Sequence, residues 1–186
     1  VASDIIDFLS KIGEKTAEKE FEDATSFVAK GFNNIGVEGA ERGFKDATVV
    51  FAAMGLRDLR VSAAKNQWKN VAILSTIFLR DIGVKAAENG LLTATTRSVE
   101  GLEYVGTVGE GRDIDYETTR GLLCLGAAVQ KYQPKKVDRV IQNLKEMERK
   151  TRLERSILIE WGKDSINGYP HLESSFEEFK RRYNEG

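Results

Sequence analysis

The chain is short of the residues that staple, kink or ligate. Its 186 residues include one cysteine, one histidine and two prolines. A single cysteine excludes any internal disulfide. Cys124 sits in the apolar run Leu122-Leu123-Cys124-Leu125, the setting of a small buried hydrophobe rather than of a reactive thiol. A single histidine, His171, removes histidine-based metal sites, and no partner motif for a triad surrounds it. It follows a proline in a turn beside Tyr169 and reads as an exposed turn residue. With only Pro134 and Pro170 to interrupt it, the backbone is free to form long helices. Long apolar runs are also missing. The most apolar stretch, Val71 to Leu79, is far short of the ~20 residues of a spanning helix. An excess of charge is absent as well, with 28 basic against 29 acidic side chains, so nothing pulls the whole molecule towards nucleic acid or anionic lipid. A cytoplasmic location is the expectation. The first residue is Val1, which fits a domain excised from a longer protein, with any membrane anchor lying N-terminal to it.

What the chain does have is a repeat. Leu9, Phe32, Leu56, Leu79 and Leu102 align, followed three residues on by Ile12, Ile35, Leu59, Ile82 and Val105. One residue later stand Gly13, Gly36, Arg60, Gly83 and Gly106, then Ala17, Ala40, Ala64 and Ala87. Phe21, Phe44, Trp68, Leu91 and Ile114 complete the set, which marks Phe44 and Trp68 as core positions. The steps are 23, 24, 23 and 23 residues, the period of a stacked-helix array. Within a copy, Phe21, Ala24, Val28, Phe32, Ile35 and Gly39 recur at steps of three and four, one face of a helix. Polar clusters divide the copies, and Gly43 and Gly90 in them suit the left-handed conformation that ends helices. The simplest reading is one helix of about 20 residues per repeat, with turns of two or three residues that make neighbours antiparallel. Pairs such as Gly36 and Ala40 lie four apart and open a small surface for a close helix neighbour. A mid-helix glycine costs roughly 1 kcal/mol against alanine, so either tight packing offsets that cost or the glycines end helices and each repeat holds two short ones.

Two departures stand out. The extra residue of the 24-residue step falls between Ala47 and Gly55; inside a helix it implies a π-bulge or a break at Gly55, in a loop a simple lengthening. Arg60 replaces a repeat glycine and must point into a groove, pair with an acid such as Asp81, or meet a partner. After Gly106 the pattern decays. Gly109 to Ile114 and on to Glu117 reads as a polar, acidic loop, and a partial sixth copy follows at a 20-residue step. Beyond Pro134, the residues Val137, Val140, Ile141, Leu144 and Met147 outline an amphipathic helix. Ile157, Leu158 and Trp161 form an apolar patch, Asn167 to Pro170 a turn, and Phe176, Phe179 and Tyr183 a terminal helix. The division is therefore repeats over 1–131 and capping helices over 132–186 in the same globular unit, since an array needs a distinct end to shield its last core face.

Chemistry is sparse. Gly109-Glu110-Gly111 lacks the preceding strand and third glycine of a nucleotide loop. The acidic stretch to Glu117 lacks the calcium-loop pattern, and Asp23 and Asp46 sit where a negative charge favours a helix start. No catalytic, cofactor or metal residues are assigned, and an enzyme is not expected. The segment 135–155, with Lys131, carries nine Lys/Arg among four acids, a solvated charged face or a phosphate-contacting helix.

The helix-by-helix period resembles that of HEAT and armadillo-type α-solenoids over residues 5 to about 131, two copies spanning about 47 residues. The fold class expected is all-α: an antiparallel helical repeat array (an α-α superhelix), or alternatively an up-down helical bundle. What the resemblance implies is a scaffold that binds a protein or peptide. The candidate partner-binding residues are Arg57, Arg60 and Arg80; Leu-Arg-Asp-Leu and Leu-Arg-Asp-Ile place Arg57 and Arg80 at equivalent positions, where successive arginines would make a stripe that reads acidic groups. The alternatives are nucleic-acid binding through 135–155, which near-zero net charge disfavours, and a homo-oligomer formed through Ile157, Leu158 and Trp161.

Overall fold

The computed structural model describes residues 2–18, 22–44, 46–108 and 112–185, without the side chains of 2, 3, 17, 18, 64, 104–108 and 112. Phe21, Gly109, Glu110 and Gly111, and the side-chain positions at Ala17, Ala64 and Val105, lie outside that description, as does the environment of Gly106. The described residues are all-α. Six long helices come first: α1 (Ala2–Glu18), α2 (Glu22–Glu41), α3 (Asp46–Lys65), α4 (Lys69–Glu88), α5 (Leu92–Val108) and α6 (Arg112–Tyr132). Three shorter ones follow: α7 (Val137–Thr151), α8 (Arg155–Ile166) and α9 (Glu173–Glu185).

Each repeat is one uninterrupted helix, so the glycines do not end helices. They seat neighbours in two registers. A Cβ placed at Gly13 would lie 2.7 Å from Leu59 Cδ2, and one at Gly83 would lie 2.9 Å from Leu125 Cδ2. Gly36 is occupied in the same way by Ile82. This register joins α1 to α3, α2 to α4 and α4 to α6, while α3 carries Arg60 at the equivalent position. The second register joins adjacent helices: Gly31 receives Leu9, Gly55 receives the Phe32 ring, Gly101 receives Leu79 and Gly121 receives Leu102. Backbones that approach this closely leave no room for a side chain between them.

Packing follows those registers. From α1 to α6 each helix packs on the next and on the next but one. The helices therefore form two layers, α1/α3/α5 and α2/α4/α6. The core runs between the layers through Val28, Phe32, Leu56, Leu79, Ile82 and Leu102, all buried. This is a helical array; a closed bundle would bring α1 back against α6, and among the described residues those two make no substantial contact.

The turns share one geometry. Phe44, Trp68 and Leu91 donate their backbone N–H to Gly39, Ala63 and Ala86 at 2.8 Å each, the bond that closes a helix C-terminus after a left-handed residue. That residue is Gly43 at φ 68°, Gln67 at φ 60° and Gly90 at φ 72°. The extra residue of the 24-residue step is neither a π-bulge nor a kink at Gly55. Helix α3 runs unbroken through Gly55, and it starts two residues after Phe44, whereas α4 and α5 start one residue after Trp68 and Leu91. The connection absorbs the insertion. Asp46 in the first turn of α3 caps its layer neighbour: its carboxylate accepts the N–H groups of Thr93 (3.1 Å) and Ala94 (2.9 Å) at the start of α5, where negative charge is favoured.

The segment read as a loop to Glu117 is helical from Arg112 onward. Its acids face cations of other elements rather than solvent alone: Asp113 pairs with Lys69, and Asp115 with Lys150 at 2.9 Å. Beyond the repeats, α7, α8 and α9 all pack on α6. Residues 121–129 of α6 are buried on every side. The Phe179 ring lies against Gly126, and Leu123 against Gly162. Helix α7 buries Val137, Val140, Ile141, Leu144 and Met147 as its spacing predicts. It ends at Thr151, with Arg152 left-handed at φ 56°, so the basic stretch 135–155 is not one helix.

Candidate functional site

The three arginines singled out by the repeat take three different environments. Arg60 is 1% exposed. Its Nη2 donates to Thr118 Oγ1 at 3.2 Å, and its Nη1 has no hydrogen-bond partner. It does not pair with Asp81. Burial drives its pKa well below the usual arginine range, with Asp115 opposing at longer range. A buried guanidinium held by one neutral hydroxyl is destabilising, and it cannot reach a partner on the surface.

Arg80 is also enclosed, its side chain 15% exposed. Its Nε donates to Asp81 Oδ1 at 2.8 Å, and its guanidinium lies 5.8 Å from the Tyr169 ring centre. Tyr169 Oη donates to the same Asp81 oxygen at 2.7 Å. Burial alone would lower the Arg80 pKa, but Asp81 beside it raises it above the ordinary value. Nearby, His171 Nε2 lies 2.6 Å from Glu88 Oε1, and Lys131 Nζ donates to the His171 carbonyl at 2.8 Å. These contacts fasten the turn before α9 onto α4 and α6.

Arg57 lines a cleft. On the α1/α3/α5 layer a groove of about 720 Å³ runs across three helices. Helix α1 contributes Glu14, α3 contributes Arg57, Asp58, Val61 and Ser62, and α5 contributes Glu100 and Glu103. The residues on each helix lie three or four apart, so they share its outer face. Arg57 folds onto its neighbour, donating from Nε (2.9 Å) and Nη2 (2.7 Å) to Asp58 Oδ1. Glu100 is held by Arg97 and by Arg139 of α7, each at 2.7 Å. Glu14 and Glu103 complete a lining of four carboxylates against one guanidinium.

Arg57 and Arg80 therefore do not form a stripe. Equivalent positions on successive helices fall in different layers, and only every second helix shares a surface. The equivalent of Arg57 on its own layer is Glu103 on α5. Reading the repeat two copies at a time would have joined Arg57 to Glu103 and Glu14 to Val61; Glu100 carries no such signal.

The other surface features expected from the sequence are also altered. Of the Ile157, Leu158 and Trp161 patch, Leu158 is fully buried and Trp161 packs edge-on against Tyr116 at 5.1 Å, leaving Ile157 exposed. The basic stretch is partly matched by acids: Arg139 with Glu100, Arg149 with Glu146, Lys150 with Asp115 and Arg155 with Glu148. Cys124 is buried, and burial pushes its thiol up to about 12. Among the described residues no group of three or more His, Cys, Asp or Glu side chains is placed to hold a metal ion, and no helix is long and apolar enough to cross a membrane. Compared with known proteins, the chain matches no family model, no curated protein and no solved structure.

Proposed function

We propose that this chain is a protein-interaction domain, a non-enzymatic scaffold of the HEAT or armadillo kind, that holds a basic segment of a partner protein in the α1/α3/α5 cleft. The observation that carries the reading is the lining itself. Helices α1 and α3, joined at the Gly13 seat, and α5 packed on α3 bring Glu14, Asp58, Glu100 and Glu103 to one groove. Arg57 is turned onto Asp58 and leaves the acidic character in excess. A rigid groove lowers the ordering cost of binding, and a lining with acids in excess selects partners of opposite charge and speeds their encounter.

The test is affinity capture from lysate, read by mass spectrometry, with the wild-type chain and a Glu14→Lys/Asp58→Lys/Glu103→Lys variant as baits, each with and without nuclease. A nuclease-resistant protein that the variant loses by ten-fold or more, about 1.4 kcal/mol, is the expected result. It would then be mapped to a Lys/Arg-containing segment by peptide anisotropy. Equal capture by both baits would remove the cleft from the reading. Nuclease-sensitive capture would transfer it to the basic surface of α7.

A further inference from the structure

Phe44 and Trp68 hold the same repeat position at opposite ends of the array, and their surroundings differ. Trp68 packs against the cluster of Ala63, Val71, Ala72 and Ile114, whereas Phe44 is 44% exposed. The end that carries Phe44 is one continuous edge, built from the α2/α3, α4/α5 and α6/α7 turns and joined turn to turn by hydrogen bonds. The Asp46 carboxylate that accepts the N–H groups of Thr93 and Ala94 links the first turn to the second. Gln133 Nε2, donating to Thr95 Oγ1 at 3.0 Å, links the second to the third. Two more apolar side chains stand out on this edge, Leu92 at 53% exposure and Tyr132 at 37%.

The acids and bases of the edge are unequally engaged. Glu38 pairs with Arg42, Lys85 bridges Glu41 and Glu88, and Asp46 is held by the backbone of α5. At the third turn Asp138 pairs with Arg182. Glu173 sits in the first turn of α9, where it meets the positive end of that helix. By contrast Lys131, Lys135 and Lys136 are exposed and make no ion pair among the described residues. Lys131 Nζ donates to the His171 carbonyl, a neutral acceptor, and lies 5.1 Å from the Tyr132 ring centre.

Unanswered lysines beside protruding apolar tips select the occupant. A soluble nucleic acid would answer the lysines and leave Phe44 and Leu92 in water. A protein would need a surface shaped to the turns. A bilayer interface answers both features without a fixed shape. Its anionic headgroups attract lysines near the surface, its acyl boundary takes up apolar side chains, and its headgroup level suits a tyrosine ring.

We infer that this edge docks on the surface of an anionic phospholipid bilayer, with Lys131, Lys135 and Lys136 against the headgroups and Phe44, Leu92 and Tyr132 entering between them. The contact is peripheral and needs no spanning segment. It leaves the cleft open, because the cleft residues of α3 lie in the second half of that helix and the edge lies at its start.

Vesicle co-sedimentation of the full chain tests it. The wild type should pellet with vesicles of equal parts phosphatidylcholine and phosphatidylserine, stay in solution with phosphatidylcholine alone, and be released by salt. Lys135→Glu/Lys136→Glu should lower the affinity roughly ten-fold or more. Phe44→Ser/Leu92→Ser should lower it at unchanged net charge; if circular dichroism shows that pair unfolded, Leu92→Ser alone takes its place. No pelleting with the mixed vesicles at low salt, equal pelleting with both lipids, or binding that survives Lys135→Glu/Lys136→Glu would overturn the proposal. Retention by a labelled DNA duplex in place of vesicles would overturn it in favour of nucleic acid. A folded apolar variant that binds like the wild type would overturn the entry of those side chains into the headgroup layer.

Discussion

Gln67 does with a side chain what Gly43 and Gly90 do without one. All three take the left-handed conformation at the end of a repeat helix, Gln67 at φ 60°. A Cβ in that region costs roughly 1–2 kcal/mol, which glycine avoids. Gln67→Gly should therefore raise the urea midpoint with an unchanged slope, a gain of about 1 kcal/mol after the greater entropy of the unfolded glycine chain is subtracted; no gain would mean that the side chain stabilises the turn. The two glycine turns were legible because glycine between polar clusters advertises them. Gln67 was not, since glutamine has no special preference for the conformation, and only its register with Gly43 and Gly90 betrays it. Arg60 shows the same limit. Its break in the glycine column is plain in the sequence, but its partner Thr118 lies 58 positions away, and no local pattern couples the two.

At the scale of the element, the mid-helix glycines set two effects against each other. Gly83→Ala would gain roughly 1 kcal/mol of helix propensity. It would also put a Cβ 2.8 Å from Ser98 Cβ and 2.9 Å from Leu125 Cδ2, and overpacking of that kind typically costs about 1–3 kcal/mol. The steric term is the larger, so the variant should be less stable by about 1 kcal/mol in thermal or urea unfolding. A stabilised variant would show that α4, α5 and α6 can move apart freely. Helix number and length in the repeats were readable because apolar spacing and turn clusters are local signals. The start of α6 was misread because Asp113, Asp115 and Glu117 look like a loop until Lys69 and Lys150 are found beside the first two.

For the molecule as a whole, one arginine ties the last three helices together. Arg155 of α8 donates to both carboxylate oxygens of Glu148 on α7 (2.5 and 3.2 Å) and to the Tyr183 carbonyl of α9 (2.7 Å). Its guanidinium sits 4.6 Å from the Tyr183 ring centre. Burial pushes the Glu148 pKa up, but Arg155 outweighs it and holds the carboxyl below the ordinary value of 4.5. A depressed acid pKa favours the folded state wherever the carboxylate is ionised. The stability difference between wild type and Glu148→Gln should thus be full at neutral pH, about 1 kcal/mol for this partly exposed pair. It should shrink as pH falls below about 4.5; a gap that stayed constant from neutral to acid pH would remove the clasp as its source. The sequence by itself determined the helices, their repeat and most of the positions that face inward, because spacing along one chain dictates which side chains share a helix face; Phe44, expected in the core, lies in a turn and is 44% exposed. Only the tertiary structure decided which surface residues are neighbours. Two-layer packing sends equivalent positions of adjacent repeats to different layers, so it separated Arg57 from Arg80, buried Arg60, and gathered Glu14, Asp58 and Glu103 from helices that are never consecutive.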